Sequence, residues 1–114
     1  MKDDQVYLNH ILVALQKIEL YVSKISYEEF LSEDLVLDAV VRELEIIGEA
    51  SRKVSEGFKG EHLQLPWSKM AGMRNKLIHE YFGVDRKIIW ETCQTDLKDL
   101  KAIISPLVPA VPIL

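Results

Sequence analysis

Three polar residues with complementary chemistry, Arg74, Asn75 and His79, fall within one short stretch of the sequence. At about 100° per residue of helix, Asn75 and His79 are neighbours one turn apart, and Arg74 adjoins them from an otherwise apolar arc. A guanidinium offers forked hydrogen-bond donors to phosphate oxygens, and an imidazole titrates near neutral pH. An arginine, an amide and an imidazole on adjoining faces of one helix therefore suit the handling of a phosphate group.

The apolar arc around Arg74 leaves a second interpretation open. An unpaired guanidinium is costly in a protein interior, so Arg74 either extends to solvent, pairs with an acid or awaits an anion. Tyr81, seven residues further on, is either a core tyrosine with a hydrated hydroxyl or part of the same site. A charged face predicted on an earlier helix is interpreted as a solvated face, with the alternative that one of its acids holds Arg74 when no ligand is present. Its residues are Arg42, Glu43, Glu45, Glu49, Arg52 and Lys53.

Charge is unevenly distributed along the chain. The net charge of −4 at pH 7 argues against a protein that coats nucleic acid in general. Residues 1–65 carry 7 basic and 13 acidic side chains, whereas residues 66–90 carry 5 basic and 2 acidic ones. The basic block thus surrounds the Arg74–His79 stretch, which favours a local anionic ligand. Arg86 and Lys87, in the same block, either widen the surface that binds such a ligand or are simply solvated.

Composition restricts the class of protein. A chain of 114 residues, with 48% hydrophobic and 28% charged side chains, is typical of one globular domain. The single cysteine, Cys93, excludes an internal disulfide and a cysteine zinc cluster, and is interpreted as a small core residue. No His or Asp pair has metal-ligand spacing, so no metal is predicted. The sequence carries no evident secretory signal or membrane-spanning run, so we expect a cytoplasmic protein that does not contact the membrane.

Helical periodicity runs through most of the chain and predicts an all-α fold. Apolar residues at three- and four-residue spacing predict long helices over about 3–25, 32–54, 66–81 and 86–105. Ser26 and Glu29 form a capping box that predicts a short helical turn, and Ser32 is the expected N-cap of the second long helix. Gly57 and Gly60 end that helix and predict a loop over 57–65.

These elements predict an antiparallel four-helix bundle with one short extra helix. The bundle is expected to form a single domain over residues 1–105. Gly83 and Asp85 are the expected stop of the third long helix and the cap of the fourth. Prolines at 106, 109 and 112 oppose further helix, so residues 106–114 are expected to form an irregular, apolar, proline-rich tail.

Several ordered motifs surround the polar residues. They are Arg42-Glu-Leu-Glu-Ile-Ile-Gly-Glu-Ala50, Leu65-Pro-Trp67, Gly72-Met-Arg-Asn75, Arg74-Asn-Lys-Leu-Ile-His79-Glu-Tyr81 and Tyr81-Phe-Gly-Val-Asp85. Together they resemble the HepT-like toxins of the HEPN superfamily over most of the chain. The resemblance implies a helical homodimer in which Arg-x4-6-His motifs from two subunits form a metal-independent ribonuclease site, without a cofactor.

The same resemblance implies roles for individual residues. Arg74 and His79 match the catalytic pair, and Asn75 matches the polar position after the arginine, with a supporting role. Tyr81 matches a tyrosine that the antitoxin MntA, a small nucleotidyltransferase, modifies with AMP to silence the toxin. The implied partners are a second copy of the chain, an MntA-like nucleotidyltransferase antitoxin and an RNA substrate.

Elementary chemistry agrees with a ribonuclease. RNA is cleaved when its 2′-hydroxyl attacks the adjacent phosphorus, which requires a base, an acid for the leaving 5′-oxygen and cations near the phosphorane. His79 suits the base or the acid, and Arg74 suits the transition-state charge. Because one imidazole does not easily serve as both base and acid in one step, a twofold dimer would supply the second. The alternative, of a different class, is a non-catalytic helical adaptor that binds a nucleotidyltransferase.

Overall fold

The computed structural model describes residues 2–80 and 86–109, and the side chains of residues 3–73 and 86–109. Within these ranges the chain is entirely helical between its turns and contains no β-strand, so the all-α prediction is confirmed. A 3-10 turn, Ser105–Leu107, follows the last α-helix. In chain order the α-helices are α1 (Lys2–Ser23), α2 (Tyr27–Phe30), α3 (Asp34–Lys53), α4 (Glu56–Glu61), α5 (Trp67–Glu80), α6 (Arg86–Gln94) and α7 (Asp96–Ile104).

Helix α3 is the platform on which the other long helices assemble. It packs against both α1 and α5, while α1 also contacts α6 and α7. The apolar stripe predicted for this part of the chain is buried, so the periodicity identified the core face correctly. Its residues are Leu37, Val40, Val41, Leu44, Ile47, Ser51 and Val54.

A long-range contact fixes the relative direction of α1 and α3. Asp4, in the first turn of α1, accepts hydrogen bonds from the backbone N–H and the hydroxyl of Ser55, at 2.8 and 2.7 Å. Ser55 lies two residues beyond the end of α3, so the start of one helix meets the end of the other. The two helices are therefore antiparallel, as the predicted bundle requires.

The region predicted as a loop over 57–65 contains a helix, so that prediction was wrong. Helix α4 (Glu56–Glu61) begins at Ser55, whose hydroxyl accepts from the N–H of Phe58 at 3.2 Å. The N-cap satisfies one of the free donors of the first turn and outweighs the low helix propensity of Gly57 and Gly60. Only residues after Glu61 form the connection to α5.

Two further boundaries differ from the prediction. Ser32 does not cap α3, because its hydroxyl donates to the carbonyl of Glu29, and Glu33 occupies the N-cap position without a side-chain hydrogen bond. The predicted last helix is broken into α6 and α7 at Thr95. The Thr95 hydroxyl donates to the carbonyl of Glu91 at 2.8 Å, a local bond that competes with regular helix geometry.

Other predictions were confirmed or lie outside the described residues. The capping box at α2 is present, with Ser26 and Glu29 bonding each other's backbone N–H groups. Residues Gly83 and Asp85, and the tail beyond 109, fall outside the described ranges. The domain boundary at residue 105 stays a prediction, and the 3-10 turn Ser105–Leu107 spans it, so the first residues of the predicted irregular tail are helical.

Candidate functional site

The start of the motif-bearing helix, α5, is firmly attached to the bundle. It begins at Trp67, immediately after Pro66, whose carbonyl accepts from the N–H of Met70 at 2.9 Å. The indole N–H of Trp67 donates to the carbonyl of His62 at 2.9 Å. Leu65 and Met70 are buried in the core. Proline at this position is preorganised for a helix start, and the buried pair fixes which side of α5 faces the bundle.

Arg74, Asn75 and His79 all lie within α5, as predicted. The helix is continuous from Trp67 to Glu80, so Asn75 and His79 are one turn apart, and Arg74 and His79 are separated by about 7.5 Å of helix rise. The side chains of residues 74–80 are outside the description, and Tyr81 lies outside the described residues altogether. The structure thus brings three of the four predicted site positions onto one helix and leaves their roles as predictions.

Helix α3 is the neighbour on which α5 packs. The two helices pack against each other, with Met70 fully buried and Met73 packed against the core. On α3, the exposed residues of the predicted charged face are Arg42, Glu49, Arg52 and Lys53, with Glu45 half-buried. Glu43 does not belong to that face, because it is only 6% exposed. The interpretation of all six residues as one solvated face was therefore wrong at Glu43.

Helix α6 begins at Arg86, and this residue is not freely solvated. Its Nη2 lies 2.6 Å from Oδ1 of Asp34 at the start of α3, and its Nη1 donates to the carbonyl of Phe30 at 3.5 Å. No local sequence pattern indicates this contact, because the partners are 52 residues apart. Lys87, its exposed neighbour, also has a partner. Arg86 thus joins the start of α6 to the end of α2 and the start of α3.

The described residues offer little for a metal or a thiol mechanism. Within 2–80 and 86–109 no group of three or more His, Cys, Asp and Glu residues is arranged to hold a metal ion. Cys93 is buried, as predicted, and burial raises the pKa of its thiol to about 12. It is therefore protonated at neutral pH and a poor nucleophile. No helix in the described ranges is long and apolar enough to cross a membrane.

Fold and motif together define an all-helical bundle protein that carries an Arg-x4-His sequence on one continuous helix. The family model described as ribonuclease HepT-like matches residues 11–107, and the chain belongs to this family. The resemblance drawn from the motifs is confirmed, and the prediction of an enzyme of the ribonuclease class is confirmed at the level of the family.

Individual relatives span nearly the same length. The chain is 45% identical over 101 residues to a protein of Caldanaerobacter subterraneus subsp. tengcongensis that is provisionally named an RNase, covering 89% of this chain and 90% of the relative. It is 46% identical over 95 residues to the probable ribonuclease HepT of Thermococcus cleftensis, covering 83% and 86%. A provisionally named RNase of Methanocaldococcus jannaschii is 38% identical over 100 residues, covering 88% and 83%. No solved structure matches the chain.

Proposed function

We propose that the protein is a metal-independent endoribonuclease and the toxin of a type VII toxin–antitoxin module. The observation that carries this proposal is the Arg74-x4-His79 spacing on one continuous helix, in a chain of the ribonuclease HepT-like family. The curated relatives named as ribonucleases support it, since they align over more than four-fifths of both chains. The substrate is RNA, with tRNA and mRNA as the first candidates.

In the proposed reaction, His79 and Arg74 have different tasks. An imidazole removes the proton of the 2′-hydroxyl as the oxygen attacks phosphorus, and a second imidazole protonates the departing 5′-oxygen. The P–O bond to the 5′-oxygen breaks, which leaves a 2′,3′-cyclic phosphate and a free 5′-hydroxyl. Arg74 stabilises the charge that develops on the non-bridging phosphate oxygens. Asn75 has a supporting role beside the pair.

The proposed active form is a homodimer. Two motifs related by a twofold axis supply two imidazoles and two guanidinium groups, which divides the base and acid tasks between subunits. The basic block of residues 66–90 supports an anionic ligand at this part of the chain, although the net charge of the whole protein is −4. An isologous interface between two copies is the commonest arrangement for a soluble oligomer.

Tyr81 is the proposed point of control. It follows Glu80, the last residue of α5, and is two residues beyond His79 in the sequence. An MntA-like nucleotidyltransferase antitoxin would transfer AMP from ATP to its hydroxyl, with loss of the hydroxyl proton and release of pyrophosphate, which adds a phosphodiester and a nucleoside close to Arg74. Charge pairing with the guanidinium and steric exclusion of RNA would then silence the toxin.

The test is cleavage of a mixture of total RNA and tRNA in the presence of a chelator. Wild type is compared with Arg74→Ala and His79→Ala, and with Lys69→Ala, which removes an exposed cation from the same helix. We expect wild type and the Lys69 variant to cleave, and each motif variant to lose about 100-fold or more in rate. Retention of wild-type rates in both motif variants would contradict the assignment.

Failure of every variant to cleave has two meanings, which intact mass separates. A chain that carries the added mass of AMP is a silenced toxin, and removal of the group should restore cleavage. An unmodified, folded and inactive chain favours the non-catalytic adaptor. Binding then provides a second criterion, because RNA affinity that falls steeply with salt is expected of an RNA-binding protein and not of an adaptor.

A further inference from the structure

The start of α6 is tied to two other elements through the side chain of Arg86. Its guanidinium pairs with the carboxylate of Asp34 at 2.6 Å and donates to the carbonyl of Phe30 at 3.5 Å. The Arg86 side chain is 26% exposed, whereas that of Asp34 is 80% exposed. One planar cation therefore joins the first residue of α6 to the first residue of α3 and the last residue of α2.

Aromatic packing reinforces this junction one turn further along α6. The ring centroid of Trp90 lies 5.3 Å from that of Phe30 and 5.9 Å from that of Tyr27. Phe30 is fully buried, and α2 itself is held by the capping box of Ser26 and Glu29. Because α2 is pinned at both its start and its end, it provides a fixed support for the start of α6.

The motif-bearing helix α5 and the start of α6 both contact the same helix, α3. Helix α5 packs on α3 and ends at Glu80, one residue after His79. Five residues, 81–85, separate Glu80 from Arg86, so the two α-carbons are at most about 22 Å apart. Arg86 is bound to Asp34, the first residue of α3, so α5, which packs on α3, and the start of α6 are both attached to α3.

We propose that Arg86 is a positioning residue for the ribonuclease reaction, which it serves through Asp34 by fixing the exit of α5 relative to α3. The inference rests on the proposed function. It assigns Arg86 a task other than contact with RNA. The competing hypothesis is that the positive charge of Arg86 binds a phosphate of the substrate. The two tasks affect different kinetic constants. Positioning affects kcat, the rate of the bound complex, whereas phosphate contact affects KM through binding.

The experiment compares Arg86→Gln, Asp34→Asn and the double variant with wild type in steady-state RNA cleavage. The matched control is Lys101→Gln, which breaks another interhelical ion pair, Lys101–Glu19 at 3.0 Å between α7 and α1. We expect kcat to fall about tenfold in each single variant and no further in the double variant, with KM unchanged. The control should retain wild-type kcat. Exchange of the charges, with Asp34→Arg and Arg86→Asp together, should recover part of the lost kcat.

Two measurements distinguish positioning from phosphate contact: the salt dependence of RNA affinity, and whether KM or kcat changes. Should Arg86→Gln raise KM and reduce the slope of log affinity against log salt by about 0.7, while Asp34→Asn does neither, Arg86 binds a phosphate and the inference is overturned. Single variants with the kcat of the Lys101 control would overturn it as well.

Hydrogen exchange tests the same inference without RNA. Amide exchange across residues 74–80 should be faster in Arg86→Gln and Asp34→Asn than in wild type, and unchanged in Lys101→Gln. Equal exchange in all four proteins would overturn the positioning role. If wild type that carries no AMP by intact mass fails to cleave RNA, the proposed function fails, and the exchange measurement still decides whether Arg86 orders the end of α5.

Discussion

The carboxylate of Asp4 binds Ser55 with both of its oxygens. Oδ1 accepts from the backbone N–H at 2.8 Å and Oδ2 from the hydroxyl at 2.7 Å, across 51 residues of sequence. Asp4 is only 2% exposed, and Ser55 is also the N-cap of α4. One buried acid thus joins the start of α1, the end of α3 and the start of α4.

Replacement of Asp4 by Asn should destabilise the fold markedly. The amide has one oxygen where the carboxylate has two, and its NH2 group would face a donor, so about 2 kcal/mol of the free energy of unfolding is expected to be lost. Asp3→Asn is the control, since the neighbouring side chain is exposed. Urea denaturation measures both. Equal midpoints for the two variants would contradict a structural role for the Asp4 carboxylate.

The same contact predicts a pH dependence. Burial raises the pKa of Asp4. The hydrogen bonds from the Ser55 N–H and hydroxyl, together with the charge of Lys59, lower this pKa by more than burial raises it, so the net pKa lies below its ordinary value of 3.8. A depressed folded-state pKa adds stability above the unfolded-state pKa and loses it as pH falls through the folded-state pKa. The stability difference between wild type and Asp4→Asn should therefore be constant near neutrality and shrink below about pH 4. A difference that grows on acidification would contradict this sign.

Cys93 should be inert in the folded protein. It is 4% exposed, and burial raises its thiol pKa to about 12, so the nucleophilic thiolate is nearly absent at pH 8. A thiol-specific reagent should modify it only after denaturation, as followed by absorbance or mass. Rapid modification of the native protein would instead indicate that the packing between α1 and α6 opens readily.

Gly72 is a site where a stabilising substitution is expected. It lies in the middle of α5, and a Cβ built there meets nothing within 4 Å. Gly72→Ala should raise the free energy of unfolding by about 0.5–1 kcal/mol, because alanine is the better helix former. Gly57→Ala, equally open but in the short helix α4, is the comparison. Greater stability combined with lost RNA cleavage would reveal close approach of another molecule to this face of α5.

Dilution tests the proposed homodimer. If two motifs form one site, the cleavage rate per chain should fall as the concentration drops below the dimer dissociation constant. Analytical ultracentrifugation over the same concentrations provides the dimer fraction for comparison. A monomer that retains full activity would refute the shared site while leaving the roles of Arg74 and His79 open.

The helices and the core could be predicted because both depend on local periodicity. The buried stripe of α3 and the capping box at α2 follow from residues three and four apart, where sequence and structure are closely coupled. Helix α4 was missed because Gly57 and Gly60 predict a helix end, and the prediction did not consider Ser55 as an N-cap. The break at Thr95 was missed because apolar spacing continues unchanged from Cys93 to Leu97 across it.

The residues of the candidate site could be predicted from the sequence, but the long-range contacts that surround them could not. Arg74 and His79 are recognisable by spacing, since a helix converts sequence separation directly into position. The Asp34–Arg86 pair joins residues 52 apart, and no local pattern encodes such a contact. Lone charged residues are mostly solvated, so the prediction could not distinguish Arg86 from a surface cation.

The two tryptophans occupy separate junctions of the bundle. Trp67 binds the carbonyl of His62 where α5 begins, and Trp90 lies against Phe30 beside the anchored start of α6. Each indole therefore provides an intrinsic fluorescent probe of one junction. With Trp67→Phe or Trp90→Phe, the remaining emission would report separately on loosening at the start of α6 and at the start of α5, without any added label.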